Sequence, residues 1–155
     1  EYSMKIVDYK YLKGKFNYCQ NVSWGDVINK IDNEFRNKSH KFLVEEGQAP
    51  TFVLHNSYLP GTLTQVFDRV NHEMRTKVLH VYTSLGGNSP TFGRHKDEMD
   101  VLIIQSIGQI KYKIDNDTTE SDTVTLNPGD GLIIKEGVYH TPIIKEPRVT
   151  LSFSW

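Results

Sequence analysis

The residues with most chemical content are His95 and Asp97, one position apart, and His140, which ends the run Asn127-Pro128-Gly129-Asp130-Gly131-Leu132-Ile133-Ile134-Lys135-Glu136-Gly137-Val138-Tyr139-His140. Two imidazoles and one carboxylate can occupy a single face of a divalent metal ion and leave its other positions open, a donor set that suits Fe(II) and the activation of a small molecule beside it. Residues two apart on a strand share a face, so His95 and Asp97 are expected to point together into a barrel while Lys96 points away. The Gly129-Asp130-Gly131 turn and Gly137 then serve to aim the strand that carries His140. Glu98 and Asp100 are alternative acids, less favoured by the His-x-Asp spacing; the bland alternative for the trio is a solvated loop pair and an unrelated surface histidine. His40, His55, His72 and His80 have no matching partners and read as surface or satisfied core residues, although His80 shares strand parity with Tyr82 and is placed at the mouth.

These side chains need a scaffold, and the sequence describes one. From residue 76 onward apolar residues alternate with polar ones and turn residues recur, predicting strands at 78–83, 91–95, 101–105, 109–114, 123–126, 131–134, 141–144 and 149–153. That number suits a small closed or sandwich-like β core. Before it, Ser23-Trp24-Gly25-Asp26 resembles a capping box, and Val27, Ile28, Ile31 and Phe35 form a helical stripe. A second helix follows Pro60-Gly61, with Thr62 as expected N-cap and Leu63, Val66, Phe67, Val70 and Met74 on one face. The two helices, near 24–37 and 62–75, are expected to cover one outer sheet face, with short strands at 41–44 and 51–54 between them.

Composition bounds the rest. A chain of 155 residues with a formal net charge of −1 reads as one compact domain, 1–155, in which residues 1–75 support a metal-binding β core at 76–155. Scattered Lys and Arg give no strong nucleic-acid signature. Cys19 is the lone cysteine, so neither an internal disulfide nor a thiolate zinc cluster can form, which fits a reducing compartment and a cytoplasmic location. No apolar run approaches the length of a membrane span and the start does not resemble a signal peptide.

The run Gly129, five residues, Lys135, Glu136, Gly137, two residues, His140 is similar to the second cupin signature with its proline replaced. Taken with His95-x-Asp97, Asp100 to Gln105, Gly108 and Leu126-x-Pro128-Gly129-Asp130, it resembles the JmjC-type, cupin-like 2-oxoglutarate-dependent hydroxylases over residues 76–155. The resemblance implies a mainly β fold, the cupin double-stranded β-helix or jelly-roll with two bracing α-helices. It also implies Fe(II) held by His95, Asp97 and His140, which would be both metal and catalytic residues, and 2-oxoglutarate as co-substrate. The activity implied is that of an Fe(II)- and 2-oxoglutarate-dependent dioxygenase, acting on a protein side chain, RNA or small molecule that fold resemblance cannot choose among.

The distal carboxylate of 2-oxoglutarate needs a cation, because a desolvated carboxylate must be paired and hydrogen-bonded. JmjC-type relatives commonly carry that cation where this chain has Ile110, and Lys111 and Lys113 are out of phase with it. Arg148-Val149-Thr150 is similar to the Arg-x-Ser/Thr arrangement of another branch. The last strand alternates Arg148, Thr150, Ser152 and Ser154 against Val149, Leu151, Phe153 and Trp155, so its polar face suits a hydrophilic pocket, or equally solvent. Arg148 and Thr150 are therefore the expected clamp, with Tyr82 and Thr91 as supplementary donors. The alternative function is a metal-binding cupin of another class, a small-molecule-binding module or a metalloenzyme not using 2-oxoglutarate. The loop 85–90 is the expected lid, and self-association through strand edges into a homo-oligomer is left open.

Overall fold

The computed structural model describes residues 8–38, 41–115 and 121–155. His40 and the middle of the polar loop expected at 115–122 lie outside the described residues. Ten strands and two α-helices follow one another as β1 (Tyr9–Leu12), α1 (Trp24–Arg36), β2 (Lys41–Leu43), β3 (Thr51–His55), α2 (Thr62–Met74), β4 (Val78–Ser84), β5 (Val101–Ile107), β6 (Ile110–Asp115), β7 (Ser121–Leu126), β8 (Gly131–Ile134), β9 (Tyr139–Ile144) and β10 (Arg148–Ser154). They pair antiparallel into a seven-stranded sheet, β1-β8-β5-β10-β4-β3-β2, and a three-stranded sheet, β7-β6-β9. The fold is mainly β, a cupin-like double-stranded β-helix braced by two helices, as the sequence predicts. Among the described residues no helix is long and apolar enough to cross a membrane.

Strand alternation divides the apolar residues between two cores. β5, Val101-Leu102-Ile103-Ile104-Gln105-Ser106-Ile107, is buried on both faces for six of its residues, which is why it reads as a nearly continuous apolar run. Leu102 and Ile104 face the helical layer, where Leu63, Val66 and Val70 of α2 meet Val149, Leu151 and Phe153 of β10. Val101 and Ile103 face the other way, into the space between the sheets, with Ile110, Ile114, Leu126 and Leu132. The inter-sheet core thus closes one part of the barrel, and the remainder stays open as a cavity.

Three expectations need correction. No strand forms at 91–95; His95 makes an isolated bridge to His140 instead, because the chain there turns through Gly93 at φ +71°. Thr62 is the first helical residue rather than the N-cap of α2, which is Gly61 at φ +52°, and the orphan amide of Thr62 donates to Asp26 Oδ2 of α1 at 2.8 Å. A Cβ on residue 61 would lie 2.5 Å from that same carboxylate oxygen, so the close approach of the two helix starts demands glycine. The buried face of α1 is rotated from the apolar stripe: Val27, Lys30 and Glu34 are buried while Ile28 and Phe35 are exposed. Lys30 Nζ lies 3.7 Å from Glu34 Oε1, which accepts the His55 N–H at 2.8 Å, so paired charges replace apolar contact where α1 meets β3. Strand β1 and a 3₁₀ turn at Asn17–Asn21 were not foreseen. The Tyr9-Lys10-Tyr11-Leu12 segment is an edge strand with one neighbour, too short and too exposed for period two to be read.

Candidate active site

His140 is the second residue of β9 and stands opposite Ile114 of β6, which directs its ring between the sheets and leaves it 2 % exposed. The loop bearing His95 and Asp97 is fastened to the start of β9 by three backbone hydrogen bonds: His95 N–H to His140 O at 3.0 Å, His140 N–H to His95 O at 2.8 Å, and Gly137 N–H to Asp97 O at 2.9 Å. These bonds do the positioning that strand geometry was expected to do. The ligand atoms of His95, Asp97 and His140 all lie within 4.8 Å of one another. The two rings are 4.4 Å apart between centroids, and His140 Nε2 is 3.4 Å from Asp97 Oδ2.

Each imidazole is oriented by a carbonyl of its own segment, His95 Nδ1 to Gly93 O at 2.8 Å and His140 Nδ1 to Val138 O at 2.9 Å. A proton on Nδ1 satisfies each carbonyl and leaves the Nε2 lone pair of both rings for a metal, the outer-shell arrangement that fixes tautomer and ring angle. Interaction with His140, and secondarily with the neighbouring His95, holds the Asp97 carboxyl below the usual carboxylate range against the opposing effect of burial. It is therefore an anionic oxygen donor. The alternative acids do not join them: Glu98 is exposed, and Asp100 accepts from Lys135 Nζ at 3.1 Å and Glu136 N–H at 2.9 Å.

The trio opens onto a cavity of about 390 Å³ between the two sheets. Arg148 lies on its wall and is 3 % exposed. Nε donates to Ser84 Oγ at 2.9 Å and Nη1 to Thr150 Oγ1 at 2.9 Å, and Thr150 in turn donates to Gln105 Oε1 at 2.6 Å. The Tyr112 hydroxyl is close enough to interact with the guanidinium. The hydrogen bonds to Ser84 and Thr150 use two of the five guanidinium donors, and among the described residues no carboxylate pairs with Arg148. Burial depresses its pKa, partly offset by the Tyr112 and Tyr82 hydroxyls. A buried guanidinium with spare donors and no counter-ion is costly unless an anion joins it.

Tyr82 and Thr91 also line the cavity. The guanidinium carbon of Arg148 sits 5.8 Å from the centre of the Tyr82 ring, and the Thr91 hydroxyl oxygen accepts the Gly93 N–H at 2.9 Å, shaping the turn before His95. Sequence reasoning missed Tyr112, whose hydroxyl is pushed up to about 12 chiefly by burial. It shares strand parity with Ile110, so the signal was present but reads as core. Lys111 and Lys113 do not line the cavity, in keeping with their opposite parity. The 85–90 loop is tied down by Leu85 N–H to Pro50 O and Thr51 Oγ1 to Pro90 O, which does not fit a lid.

The fold is a double-stranded β-helix whose cavity brings together three side chains that could hold a metal ion, and the comparisons agree on the fold. The family described as the JmjC domain matches residues 53–125, a span that contains His95 and Asp97. The ribosomal oxygenase YcfD from Escherichia coli superposes with a TM-score of 0.69 at 20 % identity, covering 94 % of this chain and 47 % of that one. Its structures in complex with cobalt and succinic acid, and with cobalt and 2-oxoglutarate, both superpose with a TM-score of 0.73 at 19 % identity over the same shares of the two chains. The chain therefore spans about half the length of these solved relatives. No curated protein matches it in sequence.

Proposed function

We propose that the protein is an Fe(II)- and 2-oxoglutarate-dependent dioxygenase in which His95, Asp97 and His140 hold the metal and Arg148 holds the distal carboxylate of 2-oxoglutarate. The observation that carries this reading is the pairing, in one cavity, of two Nε2 donors and a carboxylate with a buried guanidinium that has no carboxylate partner among the described residues. Nitrogen and carboxylate donors fit Fe(II), and two imidazoles with one carboxylate leave positions for a bidentate 2-oxo acid and O₂. When bound, Fe(II) with 2-oxoglutarate supplies O₂ activation coupled to decarboxylation, so that a substrate C–H is hydroxylated and succinate and CO₂ are released.

The chain's own residues bind and orient. Thr150 and Ser84 fix the guanidinium plane, the Tyr112 hydroxyl interacts with it, and the remaining N–H donors can engage the two oxygens of a carboxylate. Tyr82 lends its ring face and Thr91 still has a hydroxyl proton to donate. Arg148 thus takes over the role that a cation at position 110 performs in relatives, where this chain has buried Ile110. The β core at 76–155 carries the chemistry and the preceding residues brace it.

The protein that solved relatives name as a ribosomal oxygenase supports the class without fixing this chain's substrate. Purified protein given Fe(II), 2-oxoglutarate and O₂ is expected to form succinate slowly without added substrate. Tight metal binding with no succinate overturns the reading in favour of a metal-binding cupin of another class.

A further inference from the structure

The inner face of β4 and β10 changes character along its length. Register pairs Arg148 with Ser84, Thr150 with Tyr82, Ser152 with His80 and Ser154 with Val78, so the row runs from the cationic end of the cavity to the end bounded by Trp155. At that second end the side chains of His80, Ser152 and Ser154 meet no hydrogen-bond partner among the described residues, although all three line the cavity. Around them stand Val78, Met99 and Trp155. Met99 and Trp155 are 50 % and 46 % exposed, large apolar surface at the mouth of a cleft rather than in a core. The Trp155 ring is held there, because its Nε1–H donates to Met74 O at 2.8 Å.

We propose that this end of the cavity is a specificity site for an uncharged group that both donates and accepts hydrogen bonds at the tip of an apolar stem. The proposal rests on the preceding assignment of the Arg148 end to the co-substrate. Charge complementarity decides against a cation: the one carboxylate side chain among the cavity-lining residues is Asp97, already engaged by His140 and assigned to the metal. A buried ammonium or guanidinium would have no counter-charge. An anion fares no better, since Arg148, the cation that lines the cavity, lies at the opposite end, Lys41 does not line it, and burial above all holds His80 toward its neutral form. A neutral imidazole offers one donor and one acceptor, and each serine hydroxyl offers both, so the matching partner is itself neutral and bifunctional, as an amide is.

Three probes with one stem separate the charge states: isovaleramide, isopentylammonium and isovalerate, titrated into the full metal-free chain while the Trp155 indole and His80 ring NMR signals are followed. The amide is expected to shift both signals and to bind about fivefold or more tighter than either ion, the worth of roughly one hydrogen bond. Ser152→Ala and His80→Leu should each weaken the amide several-fold. Ammonium binding as tight as the amide, or amide binding unchanged in Ser152→Ala and in folded His80→Leu, overturns the proposal. A glutamine side chain in a short blocked peptide, run beside the free amide, distinguishes the source: tighter peptide binding points to a polypeptide, tighter free amide to a small molecule, and either supports the chemistry. The assay uses neither metal nor turnover, so its failure is separate from a failure to form succinate.

Discussion

His95 and His140 hold each other through a reciprocal pair of backbone hydrogen bonds, 3.0 and 2.8 Å long, although one belongs to a loop and the other to β9. The pairing sets the two imidazoles 4.4 Å apart between centroids before any ion is bound. Preformed donors of this kind lose little side-chain freedom when they close on a metal.

The first prediction follows from that preorganisation. His95→Ala, Asp97→Ala and His140→Ala are each expected to weaken divalent metal binding by more than about 100-fold, beyond the 10–100-fold typical of losing an outer-shell partner. Titration calorimetry with Co(II) measures this, and circular dichroism establishes that each variant is folded. Parent-like affinity in folded His95→Ala and His140→Ala proteins would place the metal elsewhere.

Arg148 carries the second prediction. Removing one member of a desolvated charge pair costs on the order of 2–5 kcal/mol, so Arg148→Ala should raise the 2-oxoglutarate requirement more than tenfold while metal affinity stays near the parent value. Arg148→Lys should not restore it, because an ammonium lacks the fork that engages Ser84, Thr150 and a carboxylate together. Tyr112→Phe removes one contact to the guanidinium and should give a smaller increase of a few-fold. Lys111→Ala, outside the cavity, is the control and should change nothing. Succinate formation against 2-oxoglutarate concentration reads all four, and a large loss in Lys111→Ala with none in Arg148→Ala would remove the clamp from β10.

What could be read from the sequence was whatever a strand's period of two encodes. That period put Arg148, Thr150, Ser152 and Ser154 on one face of β10; Arg148, Ser152 and Ser154 line the cavity and Thr150 is buried beside Arg148. It also separated Lys111 and Lys113 from the interior. The convergence of His95, Asp97 and His140 was legible from residue type and spacing, but the reason given for it was not the operative one, since hydrogen bonds between a loop and β9 replace a shared strand face. Tyr112 was hidden because an aromatic at the parity of Ile110 looks like packing until Arg148 is seen against it. Buried Lys30 and Glu34 broke the helical stripe of α1 because their ion pair and the hydrogen bond from the His55 amide to Glu34 supply there what apolar contact supplies elsewhere. Contacts between elements distant in sequence leave no periodic trace.

The last prediction concerns such a contact. Asp26 sits in the first turn of α1, where its amide donates to the Ser23 cap at 3.1 Å, yet its carboxylate caps the other helix, accepting from Thr62 N–H at 2.8 Å and Thr62 Oγ1 at 2.6 Å. One side chain thus satisfies an orphan amide of α2 and fixes the two helix starts together behind the β sheet. Asp26→Ala should destabilise the fold by about 1–2 kcal/mol, the usual worth of a helix cap. The hydrogen bonds from Thr62 hold the Asp26 carboxyl below the ordinary carboxylate range. A folded-state pKa lower than the unfolded value means that the charge-dependent part of this stability is fully present above about pH 4–5 and is lost as pH falls through the depressed pKa. Urea denaturation of the parent and Asp26→Ala proteins should therefore show a gap near neutrality that narrows on acidification, and a gap that is constant or widens toward low pH would show that the carboxylate's charge does not stabilise this helix junction.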